Sequence, residues 1–400
     1  MGVAVSAPKG RKVTILGSTG SVGVNTVDLI DHHNAIAPGT FQVVALTANT
    51  NVSDLVAQAR KLKPQFVALA DHAHYCVLKA QLSGTGIEVG AGPDAVQEAA
   101  ARDADWVMAS IVGSAGLRPT LAAVRRGITV ALANKECLVC AGDLFMAEVR
   151  RSKATLLPVD SEHNAVFQVF ESDQPNAIEQ ITLTASGGPF RTWSASQMAS
   201  ATPEQACKHP NWAMGAKISV DSATLMNKGL ELIEAHHLFG VDPSRLSVVV
   251  HPQSIVHSLV GYIDGSVLAQ LGSPDMRTPI AYTLGYPRRI EAPTVRLNLA
   301  ELGKLSFERP DTVKFPCLAL AQDALQRRGG APTILNAANE VAVEAFLARK
   351  LAFFGIARLV ESVLQRCEGT GRAPASMAEA IELDQTAREM AVRLLPEVKP

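Results

Sequence analysis

Two carboxylates separated by one hydroxyl end the apolar run Leu156-Leu157-Pro158-Val159, in the order Asp160-Ser161-Glu162-His163-Asn164. Apolar residues leading to a proline read as the end of a buried strand, and extended backbone sends positions i and i+2 to one face. Asp160 and Glu162 are therefore expected to point the same way. Two like charges on one face repel unless a cation or protons lie between them. Oxygen-only ligands suit a hard divalent ion, Mg²⁺ or Mn²⁺, better than zinc. The alternative is a solvated Asx turn that caps the next helix, and these residues alone leave both readings open.

A second stretch, Ile218 to Ala235, has a helical period. At about 100° per residue, Thr224, Asn227, Lys228 and Glu231 share one stripe, while Leu225, Met226, Leu230, Leu232 and Ile233 take the other side. A solvated face usually repeats Glu and Lys. An amide, an ammonium and a carboxylate on one stripe suit an anionic ligand and a metal instead.

The chain that must position these groups has 400 residues, 47% of them hydrophobic, and a net charge of −1. That length suggests two or three domains, and the near-neutral balance points away from nucleic acid and anionic membranes. No run of about 18 apolar residues is present, so no membrane span is expected. Of six cysteines (76, 137, 140, 207, 317 and 367), only Cys137 and Cys140 form a C-x-x-C pair, which suits reduced thiols in a cytoplasmic protein. Met1-Gly2-Val3-Ala4-Val5-Ser6 fits a loose myristoylation pattern that we take as chance, and no Ser/Arg-rich leader precedes the first strand.

From Lys12 the pattern alternates. Strands are expected at Val13 to Leu16, Val43 to Thr47, Phe66 to Ala70, Ile87 to Gly90, Trp106 to Ser110, Thr129 to Ala133 and Thr155 to Val159, with helical patterns between most of them. This rhythm predicts a parallel sheet wound with helices. Between the first strand and first helix stands Gly17-Ser18-Thr19-Gly20-Ser21-Val22-Gly23, where close glycines and a helix amino terminus can hold a pyrophosphate. No acidic residue ends the second strand, where Thr47-Ala48-Asn49-Thr50-Asn51 stands. A 2′-phosphate is then admissible, so NADP fits better than NAD.

After Asp160 the rhythm changes. A strand at Ile181 to Thr184 runs into the small-residue loop Ala185-Ser186-Gly187-Gly188-Pro189-Phe190, and His209 to Gly215 reads as an irregular loop carrying Trp212 and Met214. A strand at Ser247 to Val250 precedes a hairpin, Ile255 to Ile263 and Val267 to Leu271, across Asp264-Gly265. Glu291 to Pro310 suits a linker. Helices are expected at Cys317 to Gln326, Thr333 to Lys350, Gly355 to Arg366 and Met377 to Leu395, a small bundle. The fold expected is α/β, with a Rossmann-like NADP-binding domain at 10–159, an α+β catalytic domain at 160–290, a linker at 291–310 and a C-terminal helical domain at 311–400.

With these motifs in order, the chain resembles the 1-deoxy-D-xylulose 5-phosphate reductoisomerase family. The resemblance runs from Gly17-Ser18-Thr19-Gly20-Ser21 through Ala133-Asn134-Lys135-Glu136, Pro158 to His163, Ser186 to Phe190, His209-Pro210-Asn211-Trp212 and Asp221 to Thr224, to Asn227-Lys228-Gly229-Leu230-Glu231 and Pro274-Asp275-Met276-Arg277. It implies a homodimeric enzyme that rearranges and reduces a sugar phosphate with NADPH and Mn²⁺ or Mg²⁺, Co²⁺ being admissible. Asp160, Glu162 and Glu231 are the implied metal ligands. Lys135, Ser161, Glu162, Ser186, His209, Ser222, Asn227, Lys228 and Glu231 are implied around the substrate, and Lys135, Glu162 and His209 as the catalytic groups. Thr19, Gly20, Ser21 and Val22 would meet the cofactor pyrophosphate, Asn49, Thr50 and Asn51 its 2′ end, and Asn134, Glu136 and Gly215 its nicotinamide end. Trp212 and Met214 would belong to a flap. Asn49-Thr50 stand where many members have Gly-Lys, and Ala213 where Ser is frequent.

Two other readings share parts of this pattern. A semialdehyde-dehydrogenase-type NADP enzyme would use a thiol nucleophile such as Cys137 and no metal. A non-catalytic NADP sensor would have little use for three carboxylates and a phosphate site.

Overall fold

The computed structural model describes residues 10–212, 214–367 and 372–398. The amino-terminal Met1 to Ser6 pattern and Ala213 lie outside the described residues. Strands and helices alternate through β1 (Arg11–Leu16), α1 (Ser21–Ile36), β2 (Phe41–Ala48), α2 (Val52–Leu62), β3 (Phe66–Leu69), α3 (Tyr75–Gln81), β4 (Glu88–Ala91), α4 (Pro93–Ala101), β5 (Trp106–Ala109), α5 (Leu117–Arg125), β6 (Thr129–Leu132), α6 (Glu136–Ser152) and β7 (Thr155–Pro158). These seven strands form one parallel sheet in the order β4-β3-β2-β1-β5-β6-β7. Every residue of β3 and β5 is buried, which is why both are unbroken apolar runs rather than alternating ones. Strand order reverses between β1 and β5, and that reversal opens a crevice at their carboxyl ends.

The chain continues through α7 (Ser161–Val169), β8 (Ile178–Ala185), α8 (Ala195–Ala199), α9 (Pro203–Ala206), α10 (Ala216–Thr224), α11 (Met226–Phe239), β9 (Leu246–Val250), β10 (Val256–Tyr262), β11 (Val267–Leu271) and α12 (Arg277–Gly285). Then follow α13 (Leu299–Leu302), α14 (Pro316–Arg327), α15 (Ala331–Leu347), α16 (Phe353–Arg366) and α17 (Met377–Leu394). The second sheet has the order β11-β10-β8-β9, with β8 and β9 parallel and β10 antiparallel to both of its neighbours. No described helix is long and apolar enough to cross a membrane.

The chain packs as two compact units. The described residues through Asn134, with Ala147–Asn164 and Asp275–Val295, form the first; Lys135–Met146, Ala165–Pro274 and the described residues from Arg296 form the second. In the first unit Val13, Ile15, Leu46, Val67, Trp106 and Met108 share a core with Ile280, Ala281 and Leu284 of α12. The buried Trp106 indole donates to Thr283 O at 3.1 Å, so α12 satisfies a polar group of the sheet as well as covering it. In the second unit Ile181 and Leu183 of β8 and Leu230 and Ile233 of α11 share one core with Leu318, Leu335, Phe346 and Leu359 of the carboxy-terminal helices. Helix α15 is apolar nearly all round, with Ile334, Leu335, Ala338, Val341, Ala342 and Phe346 buried, and so needs cover on every side.

Two local expectations are corrected. β7 stops at Pro158 and Ser161 already opens α7, whose first backbone bond runs from Asn164 N–H to Asp160 O at 2.8 Å. Asp160 and Glu162 are therefore not neighbours on a strand face; the helix-capping alternative left open by the sequence holds, and the two side chains still bring carboxylate oxygens within 4.8 Å of each other. Asp160 occupies the capping position and Glu162 the first helical turn, where carboxylates are favoured by the helix dipole. The helical run from Ile218 to Ala235 is also broken: Leu225 is left-handed, with φ 60°, and ends α10 before α11 begins. Leu seldom adopts that backbone, and burial of its side chain, 2% exposed, offsets the cost. Thr224 thus leaves the stripe, while Asn227, Lys228 and Glu231 keep it on α11.

Candidate active site

The glycine turn after β1 is held by its neighbour strand. Gly17 N–H donates to Thr47 Oγ1 at 2.9 Å and Ser18 N–H to Thr47 O at 2.7 Å. Gly17 has φ 83°, and a side chain at Gly23 would place its Cβ 2.3 Å from Gly17 O, so neither position tolerates substitution without moving backbone. Gly20 caps α1 without a side-chain bond, and the first turn holds no acidic residue. Those amide groups are suited to an anion. Thr19 and Val22 are half-buried there, and Gly20 and Ser21 are exposed.

Beyond β2, Asn49 and Thr50 are exposed, whereas Asn51 caps α2: its Oδ1 accepts Asp54 N–H at 3.2 Å and its Nδ2 donates to Asp54 Oδ2 at 2.7 Å. Asn134, 1% exposed, donates from Nδ2 to Gly113 O at 2.9 Å and also to Ile111 O, tying the turn after β6 to the loop after β5. After β7, Ser161 Oγ donates to Glu162 Oε2 at 2.5 Å, and the fully buried His163 places Nδ1 3.9 Å from Asp160 Oδ2. Asp160, Ser161 and Glu162 are half-buried. All these groups follow the carboxyl ends of β1, β2, β6 and β7, one edge of a parallel sheet.

In the second unit, α11 and the residue before α6 build a compact polar cluster. Lys135 Nζ donates to Glu231 Oε1 at 3.0 Å and to Asn227 Oδ1 at 2.8 Å. Lys228 Nζ and Asn227 Nδ2 also donate to Glu231. Lys135, Lys228 and Glu231 are 6%, 3% and 1% exposed, so two ammonium groups share one carboxylate away from bulk water. Two ammonium groups and an amide gathered on one face are donors suited to an anion such as a phosphate.

The Ser186 loop and the His209 segment meet in the same unit. His209 Nδ1 lies 3.2 Å from Asn211 N–H and 3.0 Å from Trp212 N–H; both can only donate, so Nδ1 accepts and the ring proton is on Nε2, 2.9 Å from Ser186 Oγ. Burial agrees with a neutral ring, pushing the imidazole down to about 4. Ser186 Oγ also accepts Gly188 N–H at 3.1 Å, and a Cβ on Gly188, with φ 68°, would lie 2.6 Å from Ser222 O. Ser186, His209 and the end of α10 that carries Ser222 are thereby brought together. Asn211 Nδ2 donates to Pro252 O and Ser254 Oγ, both at 2.8 Å, and the half-buried Trp212 has its ring centre 6.3 Å from that of His257. Met214 is half-buried and Gly215, exposed, caps α10.

Two residues in this unit, Lys217 and Asn339, escaped sequence reasoning. Lys217 Nζ lies 2.9 Å from Glu136 Oε1 and 2.9 Å from Asp221 Oδ2, and Asn339 Nδ2 donates to Asp221 Oδ1 at 2.8 Å. One signal was available: a lysine in the first turn of a helix opposes the helix dipole. Cys137 is fully buried in α6 and the Cys140 thiol, raised well above its ordinary value by burial, is no ready thiolate, so the thiol-nucleophile reading has no support.

Comparison with known proteins follows the same pattern along the chain. A family model described as 1-deoxy-D-xylulose 5-phosphate reductoisomerase matches residues 13–142, and two described as C-terminal domains of that enzyme match residues 156–239 and 271–390. A 1-deoxy-D-xylulose 5-phosphate reductoisomerase of Rhodospirillum centenum is 63% identical over 354 residues, covering 88% of this chain and 87% of its own. One of Afipia carboxidovorans is 55% identical over 394 residues, covering 98% and 96%. The solved Zymomonas mobilis enzyme in complex with NADPH matches with a TM-score of 0.90 at 50% identity, over 97% of this chain and 99% of that one. A solved reductoisomerase in complex with NADPH, fosmidomycin and magnesium matches with a TM-score of 0.92 at 42% identity, over 96% and 98%.

Proposed function

The chain belongs to the 1-deoxy-D-xylulose 5-phosphate reductoisomerase family, and on that premise we propose how its residues share the work. It is an NADPH- and divalent-metal-dependent enzyme that rearranges and reduces 1-deoxy-D-xylulose 5-phosphate to 2-C-methyl-D-erythritol 4-phosphate in isoprenoid precursor biosynthesis. When bound, the ion polarises the hydroxyketone oxygens as a Lewis acid and the nicotinamide supplies hydride.

Asp160, Glu162 and Glu231 are the metal ligands in this proposal. Their all-oxygen, all-carboxylate chemistry fits Mg²⁺ or Mn²⁺. The lysine-rich cluster is the observation that carries the substrate assignment: Lys228, Asn227, Ser222 and Ser186 take the phosphate, while Lys135, Ser161 and Glu162 orient the polar carbon backbone. His209, neutral and bonded on both nitrogens, holds Ser186 and the turn through Trp212 in register rather than carrying a proton. Trp212 and Met214 exclude water as the flap closes. Thr19 to Val22 bind the pyrophosphate, Asn49 to Asn51 the 2′ end, and Asn134, Glu136 and Gly215 the nicotinamide end.

Residues 10–159, 160–290, 291–310 and 311–400 are regions of task in this scheme: cofactor, metal and substrate, connection, and helical support. A cytoplasmic homodimer completes the proposal, and sedimentation of the purified chain checks the dimer. The deciding assay follows NADPH oxidation with 1-deoxy-D-xylulose 5-phosphate, with EDTA or with Mn²⁺. Metal-independent turnover, or none with substrate, metal and NADPH together, would overturn the assignment.

A further inference from the structure

A buried ion pair is weak evidence for stability, because desolvation offsets most of the attraction, and its better-attested use is to fix register. Lys217, half-buried itself, is held by two buried carboxylates. Its ammonium bridges Glu136 and Asp221 at 2.9 Å each, and those carboxylates are on residues 5% and 1% exposed. It stands in the first turn of α10, at the positive end of the dipole, where a lysine is disfavoured unless carboxylates hold it there. Asp221 and Glu136 raise its affinity for the proton against the opposing effect of burial, so the bridge is ionic. Asn339 of α15 anchors the far side through Asp221.

Each end of the bridge leads to a group the proposed reaction uses. Glu136 adjoins Lys135, which holds Glu231 and Asn227. Gly215, two residues before Lys217, caps α10 and accepts both Ser219 N–H at 3.1 Å and Ser219 Oγ at 3.0 Å, which ties the end of the His209 to Gly215 segment to the helix. Ser222 follows Asp221 directly. We propose that Lys217 is a positioning residue, which sets the start of α10, and with it the end of the flap, against the Lys135-Glu136 turn. This rests on the reading of Glu136 and Gly215 as nicotinamide-end residues.

The test compares full-length wild type, Lys217→Met and Lys217→Arg for direct NADPH binding, and for hydrogen exchange in residues 209–217, both without turnover. Lys217→Met is expected to raise the NADPH Kd at least tenfold and to speed exchange in that segment, with exchange in β10 and α15 unchanged. A Kd within twofold of wild type with unchanged exchange would make the bridge merely structural and overturn the proposal. If Lys217→Met does not fold, Lys217→Arg decides: its fork cannot reproduce a single bridging nitrogen, so a Kd raised at least threefold supports the proposal and wild-type values reject it. Because binding is read without chemistry, a wild type that failed to convert the sugar phosphate would count against the assigned reaction and leave this comparison standing.

Discussion

His209 and Ser186 are joined by one hydrogen bond of 2.9 Å whose direction is set elsewhere, by the two backbone N–H groups that occupy the other ring nitrogen. Protonating Nδ1 would set it against both donors. The folded imidazole is held down at about 4, below its ordinary 6.5, so its contribution is complete above about 6.5 and is lost as pH falls towards 4. Between those values the segment through Trp212 is expected to open. Difference emission between wild type and Trp212→Phe across that range checks this. A flat difference, or the same transition in His209→Gln, would reject it.

Metal binding separates the two ends of the proposed ligand set. Asp160→Asn and Glu231→Gln should both weaken Mn²⁺ binding and turnover while leaving NADPH affinity near wild type, since an amide keeps the oxygen and loses the charge. Glu231→Gln should also lower the metal-free melting temperature, because breaking a buried ion pair costs about 3–5 kcal/mol and Lys135 and Lys228 would lose their shared carboxylate. Unaltered metal dependence in either variant would remove that residue from the set.

Gly23→Ala places a methyl carbon against Gly17 O and the Ser18 backbone. Overpacking of this kind costs about 1–3 kcal/mol, and here it must displace the turn that presents the α1 amides. Loss of NADPH binding at least as great as loss of stability is expected, measured by titration and thermal melting. Normal NADPH affinity would show that the turn is not the pyrophosphate cradle.

NADPH should be preferred to NADH, since no carboxylate ends β2 to repel a 2′-phosphate. The preference should be modest, because Asn51 is already engaged with Asp54 and Asn49 and Thr50 offer only neutral groups. Equal kcat/KM values for the two cofactors would contradict this.

Trp212→Ala should lower kcat/KM at least tenfold, equivalent to about 1.4 kcal/mol. The indole is half-buried in an irregular segment and absent from the second unit's core, so the melting temperature should barely move. A large loss of stability with near-normal turnover would make it a core residue.

The sheet was legible because most of its strands are short apolar runs between turn signals, and buried parallel strands admit little else; β4, Glu88–Ala91, at the edge and not buried, is the exception. The glycine turn was legible for the same reason, with three glycines at a strand-to-helix junction. Periodicity could not reveal the break at Leu225, where a single left-handed residue interrupts an otherwise helical pattern and only packing compensates. Nor could it choose between a strand end and a helix cap at Asp160, since the two use the same residues. Lys217 went unnoticed because its partners, Glu136 and Asp221, include one 81 residues away in sequence, a pairing that composition and spacing do not encode.

The place of α12 in the first unit sets a schedule for synthesis. A growing chain that has emerged only through Pro274 has all seven strands of the parallel sheet but lacks Ile280, Ala281 and Leu284, and the Trp106 indole has no Thr283 carbonyl to meet. Its apolar face stays uncovered while the whole β8 to β11 sheet is being made, an interval in which collapsed intermediates are prone to aggregate. The cofactor region is thus translated before the second sheet and finished only after it. A fragment of residues 10–159 made alone should be sticky and poorly folded, and adding back residues 275–295 in trans should improve its recovery.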